Sequence, residues 1–249
     1  MLYINKYDKV FFFMTILLDF EGVLYRGNDP IPEGKKIYDE ASHSGKKIKI
    51  LTNTSRISTN QISDLLLSSN IHVNTDNIIS GAKMTVNFLK MNQIDSILLF
   101  GNESFIEEIR EAGINVITYE DHEKKSIEEI SLYEKAQSVV IASDQSYDFL
   151  RASLATRYIY EKKLPLYCVG RDRYFPSSSG SFIPGPFSLS AAPRVASYIE
   201  PIIIGKPNKN SIANLLQDLD PNNTTLIGDN LETDFEFAKE MGYEFLKAE

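Results

Sequence analysis

Tryptophan is absent, cysteine occurs once and histidine three times in 249 residues. One cysteine, Cys168, cannot close an internal disulfide. Its neighbours Leu166, Tyr167 and Val169 predict a buried strand thiol rather than a reactive one. His43, His72 and His122 lie far apart with no ligand spacing, which argues against a histidine-built zinc site. There is no internal repeat, no Gly-x-x-x-x-Gly-Lys-Ser/Thr loop and no Gly-x-Gly-x-x-Gly turn, so a P-loop nucleotide site and a dinucleotide-binding fold have no support. Positive charge is in deficit: 26 Lys and Arg face 34 Asp and Glu, a net charge of −8, with an isoelectric point near 5.1. Nucleic acid is therefore not an expected partner. The apolar run 10–18, interrupted only by Thr15, is too short to span a bilayer, and no membrane partner is expected. With Lys6 and Lys9 before it the run superficially resembles a signal peptide, but Asp19 follows where a small-residue cleavage site belongs. The expectation is a cytoplasmic protein whose first core strand is 10–18.

What is present is ordinary for a globular chain, 43% hydrophobic and 24% charged, and long enough for one large domain or two modest ones. Four apolar runs end abruptly in polar residues. The first ends in Asp19-Phe20-Glu21-Gly22. The second, 48–51, ends in Thr52-Asn53-Thr54-Ser55. The third, 202–204, ends in Gly205-Lys206-Pro207. The last, 225–227, ends in Gly228-Asp229-Asn230, with Asp234 beyond. Apolar runs without polar alternation read as strands buried on both faces, as in parallel sheets. Open α/β sheets place their ligands at the carboxyl ends of such strands. A carboxylate in the position of Asp19 is then a metal ligand, a nucleophile or both; the alternative is an Asp that caps the following turn.

Between these runs the periodicity predicts helices over 33–44, from the Ser58/Gln61 capping box onward, over about 210–219, and over 232–241 with Gly242 as its stop. Alternation of strands and helices implies βαβ units and a parallel sheet. Residues 84–183 carry strands of their own at 96–100, 115–118, 138–142 and 164–169. Helices are predicted there over 103–112, over 126–133 behind a second capping box (Ser126, Glu129), and over 147–162. The stretch 176–181 reads as a flexible return, and 243–246 as a last short strand.

The four motifs in this order resemble those of the haloacid dehalogenase superfamily. The stretch from Asp19 to Gly27 and the stretch from Gly228 to Asp234 are similar to the opening and closing signatures of its type IIA branch, the para-nitrophenyl-phosphatase-like enzymes. The resemblance implies an α/β fold with a Rossmann-like parallel-sheet core (1–83 and 184–249) and an inserted α/β cap domain (84–183). It implies a Mg²⁺-dependent phosphatase of a small phosphorylated metabolite, with Asp19 as nucleophile and metal ligand, Asp229 as a second ligand and the Glu21 carbonyl as a third. Oxygen donors without His or Cys suit Mg²⁺. Lys206 and Thr52 would bind phosphoryl oxygens, Asn53 would add a backbone N–H, and Asp234 would hold water or Lys206. Asp172 and Pro176 fit the cap pattern, whereas Val169-Gly170 and Gly185-Pro186-Phe187 depart from it. Glu21 is the main departure. The family has Asp there, acting as general acid and then general base, and Glu moves the carboxyl outward by one methylene. A phosphate-binding or regulatory protein and a phosphotransferase are therefore the alternatives. Arg56 and Asn230 lie beside these motifs as further candidate site residues without an assigned role. Oligomeric state is not legible, and a homodimer stays open.

Overall fold

The computed structural model describes residues 13–122, 126–176 and 180–248. Positions 10–12 of the expected first strand and 177–179 of the expected return loop lie outside the described residues. Within the rest of the first run only β1 (Thr15–Leu18) is strand, buried throughout, and Met14 before it is exposed. The chain then passes through β2 (Tyr25–Arg26), β3 (Asp29–Pro30), α1 (Pro32–His43), β4 (Lys47–Leu51), α2 (Thr59–Ser68), β5 (Ile78–Ile79) and α3 (Gly81–Met91). Next come β6 (Ser96–Phe100), α4 (Glu103–Glu111), β7 (Asn115–Ile117), β8 (Val139–Ile141), α5 (Phe149–Lys162) and β9 (Leu166–Val169). Then follow β10 (Tyr174–Pro176), β11 (Phe182–Pro184), α6 (Pro186–Leu189), α7 (Ala191–Ser197), β12 (Ile202–Ile204), β13 (Thr224–Gly228), α8 (Glu236–Met241) and β14 (Glu244–Lys247).

Two parallel sheets result. The first has the order β14-β13-β1-β4-β5 and the second β12-β9-β8-β6-β7. In the first, the chain moves from β1 outward through β4 and β5, then returns to the other side of β1 with β13 and β14. That reversal makes the junction of β1 and β13 its topological switch point. Alternating side chains separate the two faces of each sheet. Ile16, Leu18, Ile50 and Ile227 pack against Ile37 of α1 and Ile62 and Leu66 of α2. On the opposite face, Leu17, Leu51 and Leu226 share one apolar cluster with Leu99, Val140 and Tyr167 of the second sheet and with Met84 and Leu89 of α3. Each such side chain contributes about 1.5–3 kcal/mol on burial, so this continuous cluster holds the two sheets together.

Several sequence expectations change. Residues 126–133 form no helix, although Ser126 Oγ does donate to Glu129 at 2.8 Å. Arg157 of α5 takes the Ile130 carbonyl at 2.9 Å and the Ile127 carbonyl, and Tyr133 N donates to Tyr158 Oη at 2.8 Å. Backbone groups engaged by side chains are lost to an i→i−4 ladder. Residues 210–219 give two short 3₁₀ turns, Lys209–Ser211 and Ala213–Leu216. The Ser211 carbonyl is contacted by Asn87 Nδ2 at 3.4 Å, and Leu215 N bonds one residue short of the α register, to the Ile212 carbonyl. The predicted helix 232–241 divides into a π-helical turn, Leu231–Phe235, and α8. The third apolar run, β12, pairs with β9 at the edge of the second sheet, where Ile202 is exposed. Cys168 is fully buried in β9, as expected. Among the described residues no helix is long and apolar enough to cross a membrane.

Candidate active site

Asp19 is the first residue beyond β1, and its N–H donates to the Ile227 carbonyl of β13 at 2.9 Å. Asp229 follows the end of β13 directly, and Thr52 follows β4. Three adjacent strands thus deliver Asp229, Asp19 and Thr52 side by side at the switch point. Lys206 reaches the same place from the second sheet, two residues after β12. Asp234 arrives on the π-helical turn, where Phe235 N reaches the Asn230 carbonyl at 3.3 Å. Such turns insert one residue and re-aim side chains, often at functional sites.

Lys206 is enclosed, with 1% of its side chain exposed. Its Nζ lies 3.0 Å from Asp19 Oδ1 and 2.5 Å from Asp234 Oδ1, and donates to the Leu51 carbonyl at 2.9 Å. Burial alone would lower the lysine, but Asp19 and Asp234 outweigh it and hold the ammonium above its ordinary range. Asn53 fixes the backbone at this point. Its Oδ1 accepts from Lys206 N at 2.8 Å and its Nδ2 donates to Lys206 O at 2.9 Å. One side-chain amide therefore satisfies both backbone groups of the lysine.

Carboxylate oxygens of Asp19, Asp229 and Asp234 lie within 4.8 Å of one another. Two glycines make this approach feasible. Gly22 has φ +81°, and a Cβ there would stand 2.1 Å from Asp229 Oδ2; a Cβ on Gly228 would stand 2.4 Å from Asp234 Oδ2. Three carboxylates face one ammonium. Burial pushes the Asp19 carboxyl well above the usual range, against the pull of Lys206 and with a further push from Asp234 and Asp229. A divalent cation removes that penalty. The donors are all hard oxygens, the set that suits Mg²⁺. Both Asp234 oxygens are already engaged, Oδ1 by Lys206 and Oδ2 by Asn230 N at 3.1 Å. Asp19 and Asp229 are the carboxylates left to meet a cation. Gly22 N bonds the Tyr25 carbonyl and Tyr25 N the Phe20 carbonyl, which leaves the Glu21 carbonyl without a backbone donor among the described residues.

Asp19, Asp229, Lys206, Thr52 and Asn53 line a cavity of about 140 Å³ together with Glu21, Arg56, Asp172 and Phe175, while Asp234 lies behind Lys206, out of contact with solvent. Thr52 Oγ1 accepts from Thr54 N at 3.1 Å, so its hydroxyl hydrogen is available to a ligand. Glu21 turns to Arg56, whose Nε and Nη2 donate to Glu21 Oε1 at 2.8 and 2.6 Å. Asp172, three residues past β9, accepts from Asn53 Nδ2 at 3.2 Å, and burial pushes its carboxyl up to about 6 against that hydrogen bond. The structure therefore brings together all seven predicted side chains. It adds Arg56, which the sequence left without a role although it follows Thr52 in the same loop, and it joins Asp172 to the site through Asn53.

Comparison with known proteins agrees with this geometry. A haloacid dehalogenase-like hydrolase family model matches residues 16–115, and a HAD-hydrolase-like model matches 203–247. Chronophin of Bos taurus is 24% identical over 236 residues, spanning 91% of this chain and 78% of its own. Sugar-phosphatase AraL of Bacillus subtilis is 26% identical, spanning 91% and 79%. The p-nitrophenyl phosphatase of Archaeoglobus fulgidus superposes with a TM-score of 0.81 at 25% identity, over 94% of this chain and 85% of its own. The motif order, the parallel-sheet architecture and the two family models, which match residues on both sides of the chain, together place the chain in the haloacid dehalogenase-like hydrolases.

Proposed function

We propose that the chain is a Mg²⁺-dependent phosphatase that hydrolyses a small phosphorylated metabolite, of the sugar phosphate, glycerol phosphate or nucleoside monophosphate class, through an aspartyl-phosphate on Asp19. The observation that carries this reading is the carboxylate triad at the switch point, with a buried lysine inside it. Asp19, Asp229 and the Glu21 carbonyl would hold Mg²⁺, which supplies charge neutralisation between the phosphate dianion and Asp19. At a separation of ~4 Å that repulsion costs several kcal/mol even at an effective dielectric of about 20.

The chain's own groups do the remaining work. Asp19 attacks phosphorus. Lys206 Nζ, the Thr52 hydroxyl and the Asn53 backbone N–H bind the phosphoryl oxygens, and Asp234 with Asn53 holds Lys206 in place. Glu21 gives a proton to the leaving oxygen, then takes one from the water that releases phosphate, a contribution of roughly 10²–10⁴-fold. A cavity of about 140 Å³ is small beside the ~300–1,000 Å³ of drug-sized sites, which favours a compact substrate.

The test is a panel of phosphorylated metabolites with Mg²⁺, read by inorganic phosphate release and by product analysis. Phosphate release from compact monoesters supports the reading. Phosphoryl transfer to a sugar acceptor would make the chain a phosphotransferase. Ligand binding without turnover across the panel would make it a binding protein.

A further inference from the structure

The contact between Glu21 and Arg56 is one-sided. Arg56 Nε and Nη2 both donate to Oε1, at 2.8 and 2.6 Å, and Thr54 Oγ1 donates to the same oxygen at 3.3 Å. Among the described residues no hydrogen bond reaches Oε2. The Arg56 side chain and the loop that carries it are anchored from several parts of the fold. Its carbon lies 5.2 Å from the centre of the Phe175 ring, on the β10–β11 hairpin. Its Nη2 approaches the Gly27 carbonyl, between β2 and β3, at 3.4 Å. The Arg56 carbonyl accepts from Asn102 Nδ2 at 3.0 Å, and Ser55 Oγ accepts from Ser143 N at 3.0 Å. The two side chains are only 14% and 26% exposed, so water competes weakly for the pair.

We propose that Arg56 is the positioning residue for Glu21: it pins Oε1 and leaves Oε2 as the oxygen that exchanges the proton. The inference rests on the phosphatase reading above. A glutamate carboxyl has one more rotatable bond than an aspartate and needs an anchor to stay aligned with the reacting atoms. In the first step the Asp19–phosphorus bond forms, the bond from phosphorus to the leaving oxygen breaks, and the proton on Oε2 passes to that oxygen. In the second, water bonds to phosphorus, the Asp19–phosphorus bond breaks, and the proton from water returns to Oε2. An Asp at position 21 would draw the carboxyl back by one methylene, out of reach of the same pair of Arg56 donors. The fold has thus built its proton donor as a Glu–Arg unit rather than as a displaced aspartate.

The test measures kcat and KM for Arg56→Ala, Arg56→Lys, Glu21→Gln, Glu21→Asp and the Glu21→Gln/Arg56→Ala pair. Substrates are aryl phosphates of graded leaving-group acidity. Melting curves and Mg²⁺ calorimetry establish fold and metal affinity for each variant. We expect Arg56→Ala to lower kcat on the order of 10²-fold, to leave KM within about threefold, since proton donation acts in the transition state, and to steepen the dependence on leaving-group acidity. Arg56→Lys recovers part of the loss. In the Glu21→Gln background Arg56→Ala adds nothing, because the two act as one unit. Glu21→Asp falls below wild type. If Arg56→Ala does not fold, Arg56→Gln serves the same comparison. A rise in KM alone, multiplying losses in the double variant, or a faster Glu21→Asp enzyme would overturn the assignment and leave the phosphatase reading standing. A wild-type protein that releases phosphate from no ester overturns both.

Discussion

Asp234 Oδ1 lies 2.5 Å from Lys206 Nζ, and neither side chain reaches solvent, at 0 and 1% exposure. Removing one partner of such a pair leaves an uncompensated buried charge, at about 3–5 kcal/mol. Asp234→Ala should therefore lose stability on that scale in urea unfolding. It should also lose at least ~10-fold in kcat/KM, because the ammonium loses the group that aims it. Replacing both residues, as Lys206→Met with Asp234→Leu, should restore much of the stability and none of the activity. Asp234→Ala with wild-type stability would show that the pair is not what holds the lysine.

The crowding of Asp19, Asp229 and Asp234 makes a prediction about metal. A ligand that binds only the folded state stabilises it by about 2.7 kcal/mol at a hundredfold excess over Kd. Mg²⁺ added after EDTA should raise the melting temperature of the wild type, and should do so much less for Asp229→Asn, which loses one of the two carboxylates still open to a cation. Equal shifts in both proteins would place the cation elsewhere.

The positions of Asp19, Thr52 and Asp229 were legible because each ends an apolar strand, a one-dimensional signal with a fixed consequence in a parallel sheet. The capping boxes show where that legibility stops. Ser58 and Gln61 open α2 as their spacing predicts. Ser126 Oγ instead donates to the Glu129 carboxylate and opens no helix, because Arg157 and Tyr158 from a distant helix engage the backbone of this stretch. Arg56 stayed hidden for a related reason: its partner Glu21 lies 35 residues away, and Arg56 itself carries no local pattern. The π-helical turn that aims Asp234 and the side-chain clamp of Asn53 on Lys206 are likewise tertiary, set by where β12 and β13 end.

Cys168 should be unreactive in the folded protein. Its side chain is fully buried, and burial pushes the thiol up, away from the thiolate. An aromatic disulfide reagent should release no chromophore from native protein on the timescale of minutes, and one equivalent after unfolding in urea. Fast labelling of the folded state would mean that β9 opens locally.

His122 should make stability depend on pH. His122 Nδ1 donates to the Thr118 carbonyl at 2.9 Å, and Nε2 is hydrogen-bonded to Tyr158 Oη at 2.8 Å, which also accepts from Tyr133 N. Burial lowers the pKa of the ring below its ordinary value of 6.5. The unfolded chain then binds more protons as pH falls through 6.5, so this contribution is complete above 6.5 and is lost as pH falls through the lower folded value. Urea unfolding between pH 7.5 and 5 (pH values on the order of one unit either side of the histidine range) should show a steeper loss for wild type than for His122→Gln. Parallel slopes would assign the acid sensitivity to other groups.

The most direct test of the account is turnover of p-nitrophenyl phosphate by wild type and Asp19→Asn, each stripped with EDTA and then titrated with Mg²⁺ or Zn²⁺. The account predicts that stripped wild type is inactive, that Mg²⁺ restores it, that Zn²⁺ does so poorly because the donors are hard oxygens, and that Asp19→Asn is folded and inactive with either metal. Metal-independent turnover, or an Asp19→Asn protein within about tenfold of wild type (a difference of only ~1.4 kcal/mol in the barrier), would contradict it.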